Sequence, residues 1–310
     1  MQDTDRSFGR VTVLVGEKTG KYPDGNSLWI RGRDTVAVVD PSLSVSRRGA
    51  ELGHVNCVAH SHVHEDHVAG LWRFPSARVY APRADLLGLH SLDGLMAMYG
   101  YREISPELGP AMRQWLVEQF HYAERPDALP YDDGWVLDLG GTAIHAIHLP
   151  GHTRGHSVLL IEPEGVLFLG DIDLTGFGPY YGDAWSNLEN FERSLERVRD
   201  IPARVWVSFH QAGVIEDRAT FSAKLDRFSS RIAERDRALL EYLEQPRTLP
   251  ELVAHRFLYP PHAQWLFVDC AERRTIAQHL ARLTAAGYIE ACGPDTWVAR
   301  ATARPRHPGV

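Results

Sequence analysis

The chain has 310 residues, 44% hydrophobic and 24% charged, the balance of an ordinary folded protein, which excludes collagen-like, low-complexity and wholly disordered classes. Its net charge of −7 argues against a protein that works by coating nucleic acid, because neutralising phosphates needs a basic surface. At about 150 residues per domain, the length allows two domains. Cys57, Cys270 and Cys292 have no paired spacing and cannot form a disulfide framework, which points to a reducing compartment. The start, Met1 to Phe8, lacks a signal-peptide pattern, and no apolar run approaches the roughly 20 residues that cross a bilayer. A cytoplasmic location without a membrane span is expected.

In chain order, Val11–Val15, Ser27–Ile30 and Thr35–Val39 are β-branched or apolar runs between Gly, Asp and Asn clusters, which reads as strands joined by turns. Pro41 stops the third. Val55–Ala59 is a further strand and leads straight into a histidine cluster, and Arg78–Tyr80 is another short strand. From Ala84 to about Asp127 the spacing turns helical. Strands resume at Trp135–Leu139, Ala143–Leu149, Ser157–Ile161 and Val166–Leu169. Ser186 and Glu189 form a capping-box pattern that opens a helix through Val198, and Arg204–Phe209 is the last strand of this part. Beyond residue 222 the pattern is helical over Ile232–Leu243, Leu249–His255 and Arg273–Ala286, then a hairpin around Gly293-Pro294-Asp295. Three helices and a hairpin is the order of a winged helix.

Sixteen histidines are present, and four crowd between His60 and His67. His62-Val-His64-Glu-Asp66-His67 can direct several imidazoles and a carboxylate into one small volume from a tight loop after a strand, a donor set that suits zinc or iron. His152, Asp171 and His210 each stand after a later apolar strand, and their joint occurrence is what raises them above isolated structural residues.

Together these residues resemble the pattern of the metallo-β-lactamase fold superfamily, over about residues 10 to 215. The resemblance implies an α+β fold, a four-layer αββα sandwich, here with a small C-terminal winged helix. Domains are expected at 1–222, with a helical lid insertion at about 84–133, and at 223–300, followed by a tail at 301–310. It implies two Zn2+ ions, with iron or manganese fitting the same donors: His62, His64 and His152 on one, Asp66, His67 and His210 on the other, and Asp171 bridging. Asp40 would support them from its strand end. A hydroxide between two cations is a nucleophile at neutral pH, and the cations polarise the scissile oxygen, so hydrolysis is the implied chemistry. Asp66 would orient that hydroxide, and Tyr180 or Tyr181 could offer a phenol to the developing oxyanion. His60, His148 and His156 are expected to hydrogen-bond rather than bind metal.

The set of donors narrows the reaction. True β-lactamases are exported and generally lack the bridging aspartate, flavodiiron oxidoreductases carry Glu where His64 stands, and sulfur dioxygenases use only part of the second set. Glyoxalase II shares all seven donors but ends in a helical segment that binds glutathione. The overall likeness is to the β-lactamase-like protein 2 type, which joins such a hydrolase to a winged helix and includes endoribonucleases and, in related proteins, thioesterases. Residues 216–310 carry 14 Lys or Arg against 12 Asp or Glu, and the rest 19 against 28, too little positive charge for a nuclease. Met96, Met98, Tyr99, Tyr101, Trp115, Phe120 and Tyr122 of the insertion suit either a core stripe or an apolar substrate wall. The reading is a zinc hydrolase of an ester, thioester or lactone with an apolar acyl or aryl group. Its partner is a small-molecule substrate, with nucleic acid and membrane disfavoured and a homodimer allowed. A single-strand endoribonuclease and a winged-helix nucleic-acid regulator with a metal-sensing domain are the alternatives.

Overall fold

Successive side chains of a strand point to opposite faces, so a strand apolar on both faces must be covered twice. A computed structural model describes residues 4–48 and 51–300; the expected tail lies outside the described residues. One sheet runs β1 (Arg6–Phe8), β2 (Val11–Leu14), β3 (Ser27–Arg31), β4 (Val36–Val39), β5 (Cys57–Ala59), β6 (Arg78–Pro82) and β7 (Leu129–Tyr131) in spatial order. It is antiparallel up to β4 and parallel from β4 to β7. The second sheet contains β8 (Val136–Asp138), β9 (Ala143–His148), β10 (Ser157–Glu162), β11 (Val166–Phe168), β12 (Val205–Val207) and β13 (Val214–Ile215), also in sequence order.

The alternation then builds the layers. Ala37 and Val39 of β4 pack with Leu159 and Ile161 of β10 and Val166 and Phe168 of β11 between the sheets. Val38 of β4 and Val79 of β6 face outward onto Leu89, Leu95, Met96, Met98, Met112 and Leu116 of the insertion helices. On the other side, Val158 and Leu167 meet Phe191 and Leu195 of the helix Leu188–Val198 and Phe221, Leu225 and Phe228 of the helix Arg218–Tyr242. Helices outside two facing sheets give the four layers expected. Truncating Phe221, which is fully buried, to Ala would cost about 3–5 kcal/mol through the cavity it leaves.

Met96, Met98, Tyr99, Tyr101, Phe120 and Tyr122 are all buried, so most of the insertion's large side chains cover the first sheet; Trp115 alone of that set is only partly buried. The insertion also ends in β7, whose place on the sheet edge the sequence reading missed. Two helix starts differ from expectation. Asn187, not Ser186, caps Leu188–Val198 by accepting from the Asn190 N–H, because the Ser186 hydroxyl donates to the His152 carbonyl at 2.7 Å. The helix expected at Ile232 begins at Arg218, capped by Asp217, and runs 25 residues to Tyr242. The boundary drawn at 222/223 therefore falls inside a continuous helix: Ile232 packs on the sandwich, and Leu239 packs with Leu252, Ile276, Leu280 and Ile289. Beyond it come the helices Leu249–His255 and Val268–Ala285, and β14 (Arg247–Thr248), β15 (Ile289–Gly293) and β16 (Thr296–Ala299), with β16 in the middle of their sheet. Among the described residues no helix is long and apolar enough to cross a membrane.

Candidate metal centre

The strand ends converge because of direction. β9 and β11 are both antiparallel to β10, and β12 is parallel to β11, so β9, β11 and β12 point the same way and bring His152, Asp171 and His210 to one edge. β5 of the facing sheet brings His62 to His67 to that edge. Two glycines permit the approach. Gly170 has φ +54, and a Cβ there would stand 2.7 Å from His156 Nε2; Gly151, at φ +138, would place one 2.3 Å from the Phe191 backbone.

His62, His64, His152 and Asp171 form one group of donors within 4.8 Å of one another, and Asp66, His67 and His210 form another. His62 Nε2, His64 Nδ1 and His152 Nε2 face each other at 2.9–3.2 Å. Asp171 spans the groups, with Oδ2 3.0 Å from His152 Nε2 and Oδ1 2.8 Å from His67 Nε2. Asp66 Oδ2 lies 3.1 Å from His210 Nε2. Asp173, not singled out from the sequence, also stands beside Asp171 and His210.

Four of the five imidazoles are hydrogen-bonded from behind by an acceptor, and the fifth, His64, has a carboxylate close to its outer nitrogen without a hydrogen bond. The outer nitrogen of His62 donates to Ser61 Oγ at 3.1 Å, that of His152 to the Tyr180 carbonyl at 3.0 Å, and that of His67 to Asp40 at 2.7 Å. His210 Nδ1 donates to the Gly20 and Asp24 carbonyls at 2.9 and 3.0 Å, and His64 Nε2 stands 3.1 Å from Asp183 Oδ2. With the outer nitrogens carrying hydrogen, the inner ones present lone pairs to one another, an arrangement that needs positive charge between them. The spacing also matches a tetrahedron of nitrogens about 2.0–2.1 Å from a zinc ion, whose edge is about 3.3 Å. The donor set fits divalent cations.

Electrostatics agree. Burial opposes charge on His67, yet Asp171 and Asp40 outweigh it and push its pKa up to about 10. Burial likewise opposes charge on His64, and Asp183 raises it to about 9. Asp171 is held well below the usual carboxylate range by His67 and His152 despite its burial. Burial and the Asp171 charge push Asp173 up to about 7. Burial and the neighbouring His152 bring His156 down to about 3, which keeps it neutral. Neutral His156 donates to the Leu149 carbonyl at 3.0 Å and accepts from the Asp171 N–H at 3.1 Å, tying two donor loops together. His148 bonds the Arg154 carbonyl, while His60 is fully buried with neither ring nitrogen in a hydrogen bond.

The structure places the two tyrosines differently. Tyr181 is fully buried, and its hydroxyl bonds His279 Nε2 and Arg235 at 2.8 and 2.9 Å. Tyr180 donates to Asp183 at 3.0 Å and supports the centre through that residue and through its own carbonyl.

Residues 22–239 match the family model of the Metallo-beta-lactamase superfamily. The chain belongs to this superfamily. Among its relatives, acyl-coenzyme A thioesterase MBLAC2 of Bos taurus is 27% identical over 223 residues, covering 64% of this chain and 76% of that protein. A hydroxyacylglutathione hydrolase of Aeromonas hydrophila is 32% identical over 154 residues, covering 47% of this chain and 46% of its own. A metallo-beta-lactamase family protein of Thermus thermophilus superposes with a TM-score of 0.68 at 26% identity, covering 94% of this chain and 99% of that one.

Three supporting residues of this superfamily member escaped the sequence reading. Asp183 lies in a loop with no periodicity, and nothing local links it to His64. Asp85, fully buried, accepts from Thr153 Oγ1 and from the Gly155 N–H at 2.8 Å, fixing the loop that carries His152. Glu65 accepts from the Tyr22 hydroxyl at 2.9 Å and from Tyr99. Only Glu65 had a signal, its place between His64 and Asp66.

Proposed function

We propose that this chain is a dinuclear metallo-hydrolase that cleaves a thioester, ester or lactone carrying an apolar acyl or aryl group. The observation that carries the reading is the set of five imidazoles, four hydrogen-bonded from behind by an acceptor and His64 backed by the Asp183 carboxylate, whose inner nitrogens converge with Asp66 and Asp171. His62, His64 and His152 would hold one cation and Asp66, His67 and His210 the other, with Asp171 between them. Two zinc ions would supply a nucleophile at neutral pH and polarise the acyl oxygen. The chain's own part would be to fix that geometry, to keep His156 neutral behind Asp171, and to let Asp66 receive a proton at Oδ1, the oxygen not turned to His210, and return it to the leaving group. The thioester is favoured among the three bonds by the relatives named as acyl-coenzyme A thioesterase and hydroxyacylglutathione hydrolase.

The C-terminal helices and hairpin are read as a winged helix that packs rather than binds nucleic acid. Three of the four basic side chains of the helix Val268–Ala285 are engaged within the protein, Arg274 with Gly100 and Glu103, His279 with Asp236 and Arg282 with Glu192, and Arg273 is exposed. Purified protein is tested on matched acyl thioesters, aryl esters, lactones and labelled single-stranded RNA, with Asp66→Asn as the blank. Acyl cleavage that vanishes in the variant, with RNA intact, is expected. Cleavage of RNA alone overturns the reading in favour of an endoribonuclease.

A further inference from the structure

Between the helices Leu249–His255 and Val268–Ala285 the chain makes a long loop that the donor set does not use. Glu272, fully buried on the second helix, accepts from the Phe257, Leu258 and Tyr259 N–H groups at 3.1, 2.9 and 2.7 Å. Three backbone donors on one buried carboxylate fix the loop's path. It is fixed against the metal centre. Tyr22 stands 6.0 Å from the His210 ring, and Trp265 of the loop stands 5.4 Å from Tyr22. Phe267 joins Trp115 of the insertion at 5.9 Å, and Tyr259 meets Phe177 at 5.4 Å. Tyr259 also stands 6.2 Å from Trp265 and 6.1 Å from Phe267, which joins the loop's aromatic rings into one cluster.

The other end of this wall is open. Trp265 is 51% exposed, Leu266 42% and Phe177 36%, while Tyr259 and Phe267 behind them are buried. Large apolar side chains left exposed together, continuous through one ring with a metal donor, mark a surface meant for an apolar ligand.

We propose that the loop from Phe257 to Phe267 forms the acyl-side wall of the active site, with Trp265 as the residue that discriminates acyl-chain length. The inference rests on the hydrolase reading above and deepens it: the reacting carbon sits at the donors and the apolar chain runs out past Tyr22 and Trp265. A bound chain covers both faces left exposed, and each additional buried methylene adds about 0.8 kcal/mol, close to fourfold in kcat/KM, until the wall ends.

The test compares acetyl, octanoyl and dodecanoyl thioesters of one small thiol in the wild type, Trp265→Ser and Leu266→Ser, together with calorimetric binding of dodecanoate. The expected result is a dodecanoyl-to-acetyl ratio of kcat/KM that falls at least tenfold in Trp265→Ser and less in Leu266→Ser, with dodecanoate binding weakened in step. A variant that lowers all three substrates equally, leaving the ratio intact, overturns the wall. So does a ratio that stands unchanged while sedimentation shows a dimer lost, since a second copy of the chain would then be the occupant. If the wild type cleaves no thioester, the hydrolase reading fails by itself and dodecanoate decides the wall: binding lost in Trp265→Ser supports it, and binding absent or unaltered overturns it.

Discussion

The two halves of the metal centre lean on different parts of the molecule. His67 and His210 are backed by the first sheet and its neighbouring loop, through Asp40 at the end of β4 and the carbonyls of Gly20 and Asp24. His64 and His152 are backed by the loop after Asp171, through Asp183 and the Tyr180 carbonyl. That loop is pinned in turn by the C-terminal helices: Arg235 donates to the Pro179 and Phe177 carbonyls, and Gln278 to that of Tyr181 at 2.8 Å. One half is therefore preformed by a sheet, and the other depends on helices 56 to 97 residues further along the chain than the loop they pin.

The largest effect is expected where the halves meet. Asp171→Asn removes the carboxylate common to both and leaves activity down on the order of 10³-fold, from several kcal/mol of lost charge stabilisation, with bound metal falling by at least one equivalent. Kinetics and elemental analysis of the same sample check it. Asp40→Asn comes next, because Asp40 is fully buried and accepts from Ser61 as well as His67. It is expected to weaken the second cation by about 10–100-fold and the first less, because Asp40 reaches His62 only through Ser61. Asp183→Asn is expected to do the converse, toward the smaller end of the same range, since the Tyr180 carbonyl still holds His152. Two variants that both weakened the same cation more than the other would break the division.

The pH dependence follows with its sign. Without a cation His64 and His67 titrate at about 9 and about 10, above the free-imidazole value of about 6.5, so both are charged at neutral pH. Cations must displace those protons. Loading of metal-free protein is expected to release protons at pH 7 and to tighten as pH rises toward 9–10, which calorimetry in buffers of different ionisation enthalpy measures. The same charges stabilise the metal-free fold fully below pH 6.5, and that contribution is lost as pH climbs through about 9 and 10. The smallest catalytic effect belongs to Tyr181→Phe, which is expected to leave kcat within about twofold and to cost about 1–3 kcal/mol in a denaturation experiment by leaving His279 Nε2 without a partner and removing one of the bonds to Arg235.

The same contrast explains what was legible in the sequence. Every expected donor follows a strand whose apolar pattern is visible, so strand direction brings them all to one edge. The four layers were legible for the same reason, central strands such as β4, β5, β10 and β11 having two apolar faces to cover. Asp183 and Asp85 were not, because a loop aspartate acquires its role only from what folds beside it. Ser186 was misread as a cap because the sequence pattern cannot show that the His152 carbonyl claims its hydroxyl. The insertion's Met and Tyr residues were equally ambiguous until Val38 and Val79 were seen to need cover.

The decisive measurement is a zinc titration of metal-free protein, reading bound metal and octanoyl thioester hydrolysis together. The prediction is two equivalents bound, the second weakened more than the first in Asp40→Asn, with acyl cleavage appearing as the centre fills. Saturation at a single equivalent, or full loading with no cleavage, would contradict it.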